Sequence, residues 1–165
     1  MATITLKGNT FNTSGQLPTV GEKAPDFKLK KTDLSWTSLS DYEGFNIILN
    51  IFPSIDTATC AMSVRQFNQL AAGLENTKVI CVSRDLPFAQ KRFCGAEGID
   101  NVITASDFAY GDFGKTYGVE LLDGPLQALH ARAVVVIDAH GIVRYTELVA
   151  ELANEPNYTE ALAAL

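Results

Sequence analysis

Three residues at fixed spacing could do thiol chemistry in this chain. Pro53, Thr57 and Cys60 belong to one segment, Pro53-Ser54-Ile55-Asp56-Thr57-Ala58-Thr59-Cys60. An apolar run precedes it and an amphipathic helical pattern follows, so Cys60 falls where a buried strand turns into a helix. At such a terminus the unpaired backbone N–H groups and the positive end of the macrodipole favour a thiolate, whereas burial alone opposes ionisation. A thiol with an ordinary pKa of about 8.5 is roughly 3% ionised at pH 7; lowering it to about 6 gives roughly 90% thiolate, a gain of about thirtyfold. Pro53 fixes its own φ and has no N–H, so it can shape and shield a thiol pocket but cannot move a proton. Thr57 offers a hydroxyl three residues before the sulfur, able to cap the helix, donate to the thiolate or accept from a bound substrate.

A permanent cation near the sulfur would stabilise its anion, and Arg132 is the candidate. It stands just before the apolar run Ala133-Val134-Val135-Val136-Ile137-Asp138, where strand geometry can aim a guanidinium into a site made by a distant part of the chain. The competing reading is a strand-edge arginine in a surface ion pair. Arg84 is a weaker rival, and so is Arg65, whose position along the helix turns it away from Cys60. Cys81 alternates with Val79 and Ser83 in a buried-looking strand and reads as packing. Cys94 lies late in a polar-faced helix, and no C-x-x-C motif is present. His130 and His140 are the only histidines, and neither sits in a cluster with metal-ligand spacing. His130 is expected at the surface or beside the site near Arg132, and His140 in an exposed hairpin turn. Gly111-Asp112-Phe113-Gly114 makes no phosphate loop, so no cofactor and no metal are expected.

The elements that must position these residues follow from periodicity. Ile4 to Leu6 and Thr10 to Asn12 flank Lys7-Gly8-Asn9 as an N-terminal hairpin. Phe27 to Lys30 and Ser35 to Leu39 are short strands or loop. Phe45 to Phe52 is apolar on both parities, as a strand covered on both faces requires. Ala61 to Leu74 carries Val64, Phe67, Leu70, Ala71 and Leu74 at helical spacing. Thr77 to Ser83 predicts a second buried strand, Leu86 to Glu97 a helix with Pro87 in its first turn, Asn101 to Thr104 a short strand and Phe108 to Tyr117 a broken helical segment. Ala133 to Asp138 is a third long strand, Ile142 to Val149 its hairpin partner, and Tyr158 to Leu165 a closing helix. The order predicts an α/β, thioredoxin-like fold: a mixed central sheet flanked by helices, with an N-terminal β-hairpin, in one domain spanning 1–165.

Composition narrows the partners. With 47% hydrophobic residues among 165, one domain can bury a substantial core. Thirteen basic against nineteen acidic residues give a net charge of −6, which disfavours nucleic acid and anionic membranes. Lys30-Lys31 and Lys91-Arg92 are the only adjacent basic pairs and make no stripe. No apolar stretch is long enough for a membrane span or placed as a signal-peptide core, so a cytoplasmic address is expected. Three scattered cysteines do not form a secreted disulfide framework; in a reducing compartment, thiols that pair do so catalytically or transiently.

The Pro-x-x-x-Thr-x-x-Cys segment resembles the active-site signature of the peroxiredoxins. Together with Leu86-Pro87-Phe88-Ala89-Gln90, Arg92-Phe93-Cys94-Gly95 and Ala131-Arg132-Ala133, it resembles the bacterial thiol peroxidase subfamily over nearly the whole chain. The resemblance implies that Cys60 is the peroxidatic and Cys94 the resolving cysteine of one subunit, with Pro53, Thr57 and Arg132 forming the pocket. It also implies a homodimer that reduces hydrogen peroxide and alkyl hydroperoxides and is recycled by thioredoxin. In that setting Arg132 would stabilise charge on the departing oxygen. Thr59 departs from the subfamily, which commonly has an apolar residue before the peroxidatic cysteine. Sulfurs on separate helices lie beyond disulfide reach unless a segment opens, and Ala58 to Ser63 or Arg92 to Gly98 is expected to unwind. A thioredoxin-type oxidoreductase would share the fold, but the residue three beyond Cys60 is Ser63. A redox-sensing binding protein would react about once per molecule rather than turn over.

Overall fold

The computed structural model describes residues 1–165. Its centre is a seven-stranded mixed sheet. The strands are β3 (Lys28–Lys31), β4 (Trp36–Ser38), β5 (Asn46–Ile51), β6 (Thr77–Ser83), β7 (Ile103–Ser106), β8 (Ala133–Ile137) and β9 (Val143–Leu148), in the order β4-β3-β7-β6-β5-β8-β9. β5, β6 and β7 run parallel, while β8 pairs antiparallel with β5 and then with β9. β1 (Thr3–Leu6) and β2 (Asn9–Asn12) form the N-terminal hairpin as a separate two-stranded sheet.

Alternation along the central strands explains the two covered faces. Ile47, Leu49 and Ile51 of β5 point into one core with Ile80, Val82, Val135 and Ile137. Ile48 points into the other with Val79, Cys81, Val134 and Val136. The second core lies beneath α1 (Ala58–Ala71), α2 (Pro87–Glu97) and α4 (Tyr158–Ala163), through Val64 and Phe67, Phe93, and Ala161. The first core lies beneath the 3-10 turn Leu39–Tyr42 and α3 (Asp112–Thr116), through Tyr42 and Phe113. Ile4 of the hairpin joins Leu121, Ala131 and Leu152 in a third, smaller cluster. No helix is long and apolar enough to cross a membrane.

Element ends differ from the sequence expectations for local reasons. α1 starts at Ala58 rather than Ala61, because Ala58-Thr59-Cys60 carries no apolar stripe to announce the first turn, and this puts Cys60 inside the helix. β7 begins at Ile103 rather than Asn101: the Asn101 N–H donates to Asn68 Oδ1 at 2.8 Å instead of entering the sheet. The segment Phe108 to Tyr117 is helical only over Asp112–Thr116, since Gly111 before it takes the left-handed φ of 69°. The residues left open as strand or loop near Phe27 and Ser35 are the strands β3 and β4 at one sheet edge.

Candidate active site

β5 ends at Ile51, buried Pro53 follows, and the chain turns through Ser54–Thr57 into α1, with Thr57 at the N-cap position. Cys60 therefore occupies the first helical turn, the end where unpaired N–H groups and the dipole favour an anion. Its side chain is fully buried rather than at the mouth of an open pocket. Arg132 reaches it from the start of β8: Nη2 lies 3.5 Å from Cys60 Sγ, and Nε donates to the Leu152 carbonyl at 3.0 Å. The remaining guanidinium nitrogen, Nη1, is buried and has no protein acceptor.

The helix turn is fixed from beneath and from the side. Ser63 Oγ donates to the Cys60 carbonyl at 2.8 Å and accepts from Asn50 Nδ2 of β5 at 3.2 Å. Thr59, the departure from the subfamily pattern, donates its hydroxyl to the Ala153 carbonyl at 3.0 Å, next to the residue that anchors Arg132. Leu152 is in turn held by β1, its N–H donating to the Thr5 carbonyl at 2.8 Å. Thr57 does not cap the helix with its side chain; its hydroxyl donates to the Ser54 carbonyl at 3.1 Å, which leaves the oxygen lone pairs as its remaining hydrogen-bonding capacity.

Cys94 is half-buried near the end of α2, its sulfur 3.9 Å from Thr104 Oγ1 of β7, and burial pushes its thiol pKa up. It lines a cavity of about 430 Å³ together with Lys31, Lys91, Ile99 and Val102, and Cys60 does not line that cavity. Thr104 and Arg132 belong to β7 and the edge of β8, three strand spacings apart, roughly 14 Å of sheet. All three cysteines are free. Cys81 is fully buried, contacts Asn50 Nδ2 at 3.6 Å, and is pushed up to about 12 by desolvation, as suits packing rather than reaction.

Other expectations meet the structure in different ways. Arg65 and Arg84 are engaged elsewhere, with Glu97 and with the Ala128 carbonyl. His140 is exposed at its turn. His130 is neither at the surface nor at the sulfur: it is fully buried, with Nε2 2.9 Å from Asp107 Oδ2 and the ring against Phe113. A glycine at 114 admits the ring, since a Cβ there would meet it at 3.0 Å. No cluster of three or more His, Cys, Asp or Glu side chains could hold a metal ion. Sequence reasoning did not find Asn50, Ser63 or Asp85. Asp85 accepts from Ser54 Oγ and the Ile55 N–H, both at 2.7 Å, in the turn before α1, and nothing in its spacing marks it.

The mixed sheet and the buried sulfur–guanidinium pair at a strand-to-helix turn define a thiol-based redox protein of thioredoxin-like fold. The Redoxin family pattern matches residues 19–162. Thiol peroxidases of Mycobacterium tuberculosis and Mycobacterium bovis are 58% identical over 165 residues, covering 100% of this chain and 99% of theirs. A peroxiredoxin-like protein from Aquifex aeolicus superposes with a TM-score of 0.93 at 41% identity, over 99% of this chain and 95% of that one. The thiol peroxidase from Chromobacterium violaceum, at 20% identity, shares the fold with a TM-score of 0.90 over 98% and 93% of the two chains. The chain belongs to the Redoxin family, within the thiol peroxidase branch of the peroxiredoxins. It is a thiol-dependent peroxidase.

Proposed function

We propose that Cys60 is the peroxidatic nucleophile and that Cys94 resolves its oxidised form within the same chain. The observation that carries this reading is Arg132, whose Nη2 contacts the Cys60 sulfur while buried Nη1 still has an N–H to give. The thiolate attacks the terminal oxygen of hydrogen peroxide or an organic hydroperoxide, the O–O bond breaks, and Cys60 becomes a sulfenic acid. The departing oxygen leaves with the electron pair and is protonated to water or an alcohol; the free Arg132 N–H stabilises its charge before that. Thr57 accepts from the peroxide, and Pro53 shields the thiolate from water. The Cys94 thiol then attacks the sulfenic sulfur, releasing water and forming the Cys60–Cys94 disulfide.

Crossing the gap between the sulfurs requires local unwinding, of Ala58 to Ser63 or of Arg92 to Gly98. The dithiol of thioredoxin reduces the disulfide and resets both thiols. We place the reaction in the cytoplasm, where three free cysteines stay reduced between cycles, in a chain acting as one domain over 1–165 and as a homodimer. In support of self-association, Leu86 and Phe88 after β6 and Tyr110 after β7 are 51%, 66% and 60% exposed on neighbouring connections.

Stopped-flow peroxide consumption with thioredoxin and its reductase tests the assignment. Turnover is expected to persist in Cys81→Ser, vanish in Cys60→Ser, and stop after one oxidation per chain in Cys94→Ser. Full turnover without Cys94 would remove it from the resolving role.

A further inference from the structure

The connection after β6 holds a carboxylate that the cysteine chemistry above does not use. Asp85 accepts from Ser54 Oγ at 2.7 Å, from the Ile55 N–H at 2.7 Å and from Ser83 Oγ at 2.6 Å. Its own carbonyl accepts from Ser106 Oγ, and its N–H donates to Ser83 Oγ at 3.3 Å. Ser83 and Ser106 are register partners on β6 and β7, and buried Gln90 ties α2 to the same base by donating to Ser83 Oγ at 3.2 Å and to the Ala105 carbonyl at 3.1 Å. Asp85 thus stands on two paired strands and grips the turn that leads from β5 to Cys60. Three donors converging on one carboxyl group at these distances fix the groups that donate them.

The grip falls on one peptide unit. Ile55 N–H and Ser54 C=O are the two ends of the same planar amide, so fixing the first on Asp85 orients the second. That carbonyl accepts from both the Thr57 hydroxyl, at 3.1 Å, and the Thr57 N–H, at 3.2 Å. Polarisation along such a chain makes the carbonyl a better acceptor and holds the hydroxyl proton on it. The Thr57 oxygen then presents lone pairs alone, one helical turn before the sulfur.

We infer that Asp85 is a positioning residue for peroxide reduction: through the Ser54–Ile55 peptide it fixes the Thr57 hydroxyl as an acceptor for the incoming peroxide O–H. The inference rests on Cys60 being the attacking sulfur and deepens that reading. Asp85 touches neither the sulfur nor the peroxide.

The test compares two reactions of Cys60 in the full-length protein: oxidation by hydrogen peroxide, which needs the Thr57 acceptor, and alkylation by iodoacetamide, which needs the thiolate and a path to the buried sulfur but not that acceptor. In Asp85→Ala the peroxide rate constant is expected to fall by about tenfold to a hundredfold, since misplacing a group by an ångström costs that order. The alkylation rate and its pH midpoint should stay within about threefold and unshifted, because the guanidinium and the helix terminus still hold the anion. Asp85→Asn, which keeps an oxygen for the Ile55 N–H, should restore most of the loss. In a Thr57→Val background the Asp85 change should cost no more than about twofold, a non-additivity that simple loosening would not produce.

A wild-type peroxide rate in Asp85→Ala, equal losses in both reactions, or additivity with Thr57→Val would each overturn the inference. Should Asp85→Ala fail to fold, Ser54→Ala removes one bond of the grip; a roughly threefold fall in peroxide rate, absent in the Thr57→Val background, supports the inference, and an unchanged rate overturns it. Peroxide consumption by Cys60→Ser would instead bring down the reading of Cys60, whatever Asp85 does.

Discussion

At the residue scale, Arg132 is the side chain for which lysine is no substitute. One nitrogen is anchored on the Leu152 carbonyl, one touches the sulfur and one is unengaged, a division that needs a fork rather than a point charge. Arg132→Lys is expected to slow Cys60 oxidation by about a hundredfold to a thousandfold in stopped-flow measurements, as losing a preorganised donor does. Cys81 leads to a prediction about stability. Desolvation pushes its folded-state pKa up to about 12, well above the range of a solvated thiol. A raised folded value means that the contribution of the neutral thiol is complete below pH 9 and is lost as pH climbs toward 12, where the unfolded chain releases a proton that the folded one keeps. Urea midpoints should therefore fall more steeply across that window in the wild type than in Cys81→Ala.

At the element scale, α2 divides into an anchored half and a releasable half. Gln90 bonds β6 and β7 from within the buried layer, while beyond it Phe93 and Cys94 are only partly buried and the ion pairs are the exposed bridges Arg92–Asp56 and Arg65–Glu97, which contribute little in water. The helix ends on Gly98, with a left-handed φ of 66°. Amide exchange on the disulfide form should show residues 92–98 losing protection relative to the reduced form, with Gln90 still protected; an unchanged 92–98 segment would shift the opening to α1. The same contrast shows what was legible in the sequence. Strands such as Asn46–Ile51 and Ala133–Ile137 announce themselves by apolar content on both parities, and Cys60, Thr57 and Pro53 by spacing at a strand-to-helix turn. Arg132 was legible only because it borders such a strand. Asp85, Asn50 and the Leu152 carbonyl were not, since each acts through partners that only the tertiary fold brings near. His130 misled for the same reason: its burial depends on Asp107 and on the space left by Gly114, neither of them a neighbour in sequence.

At the scale of the whole molecule, the connections that follow β5 and β6 carry Cys60 and Cys94, and those that follow β6 and β7 carry the exposed Leu86, Phe88 and Tyr110. Phe88, two-thirds exposed at the start of α2, is the largest apolar cost on that surface if the chain stays alone. Sedimentation velocity is expected to show a dimer for the wild type and a shift toward monomer for Phe88→Glu, with peroxide oxidation of Cys60 still measurable; a wild-type monomer would remove the homodimer from the scheme.

The N-terminal hairpin is far from Cys60 and Arg132 in sequence, yet it is two hydrogen bonds from the guanidinium. Thr5 accepts from the Leu152 N–H, and the Leu152 carbonyl holds Arg132. Proteolytic trimming through Asn12 would spare Cys60, Cys94, Pro53, Thr57 and Arg132 themselves, and is still expected to slow peroxide oxidation of Cys60 by unmooring the guanidinium beside it.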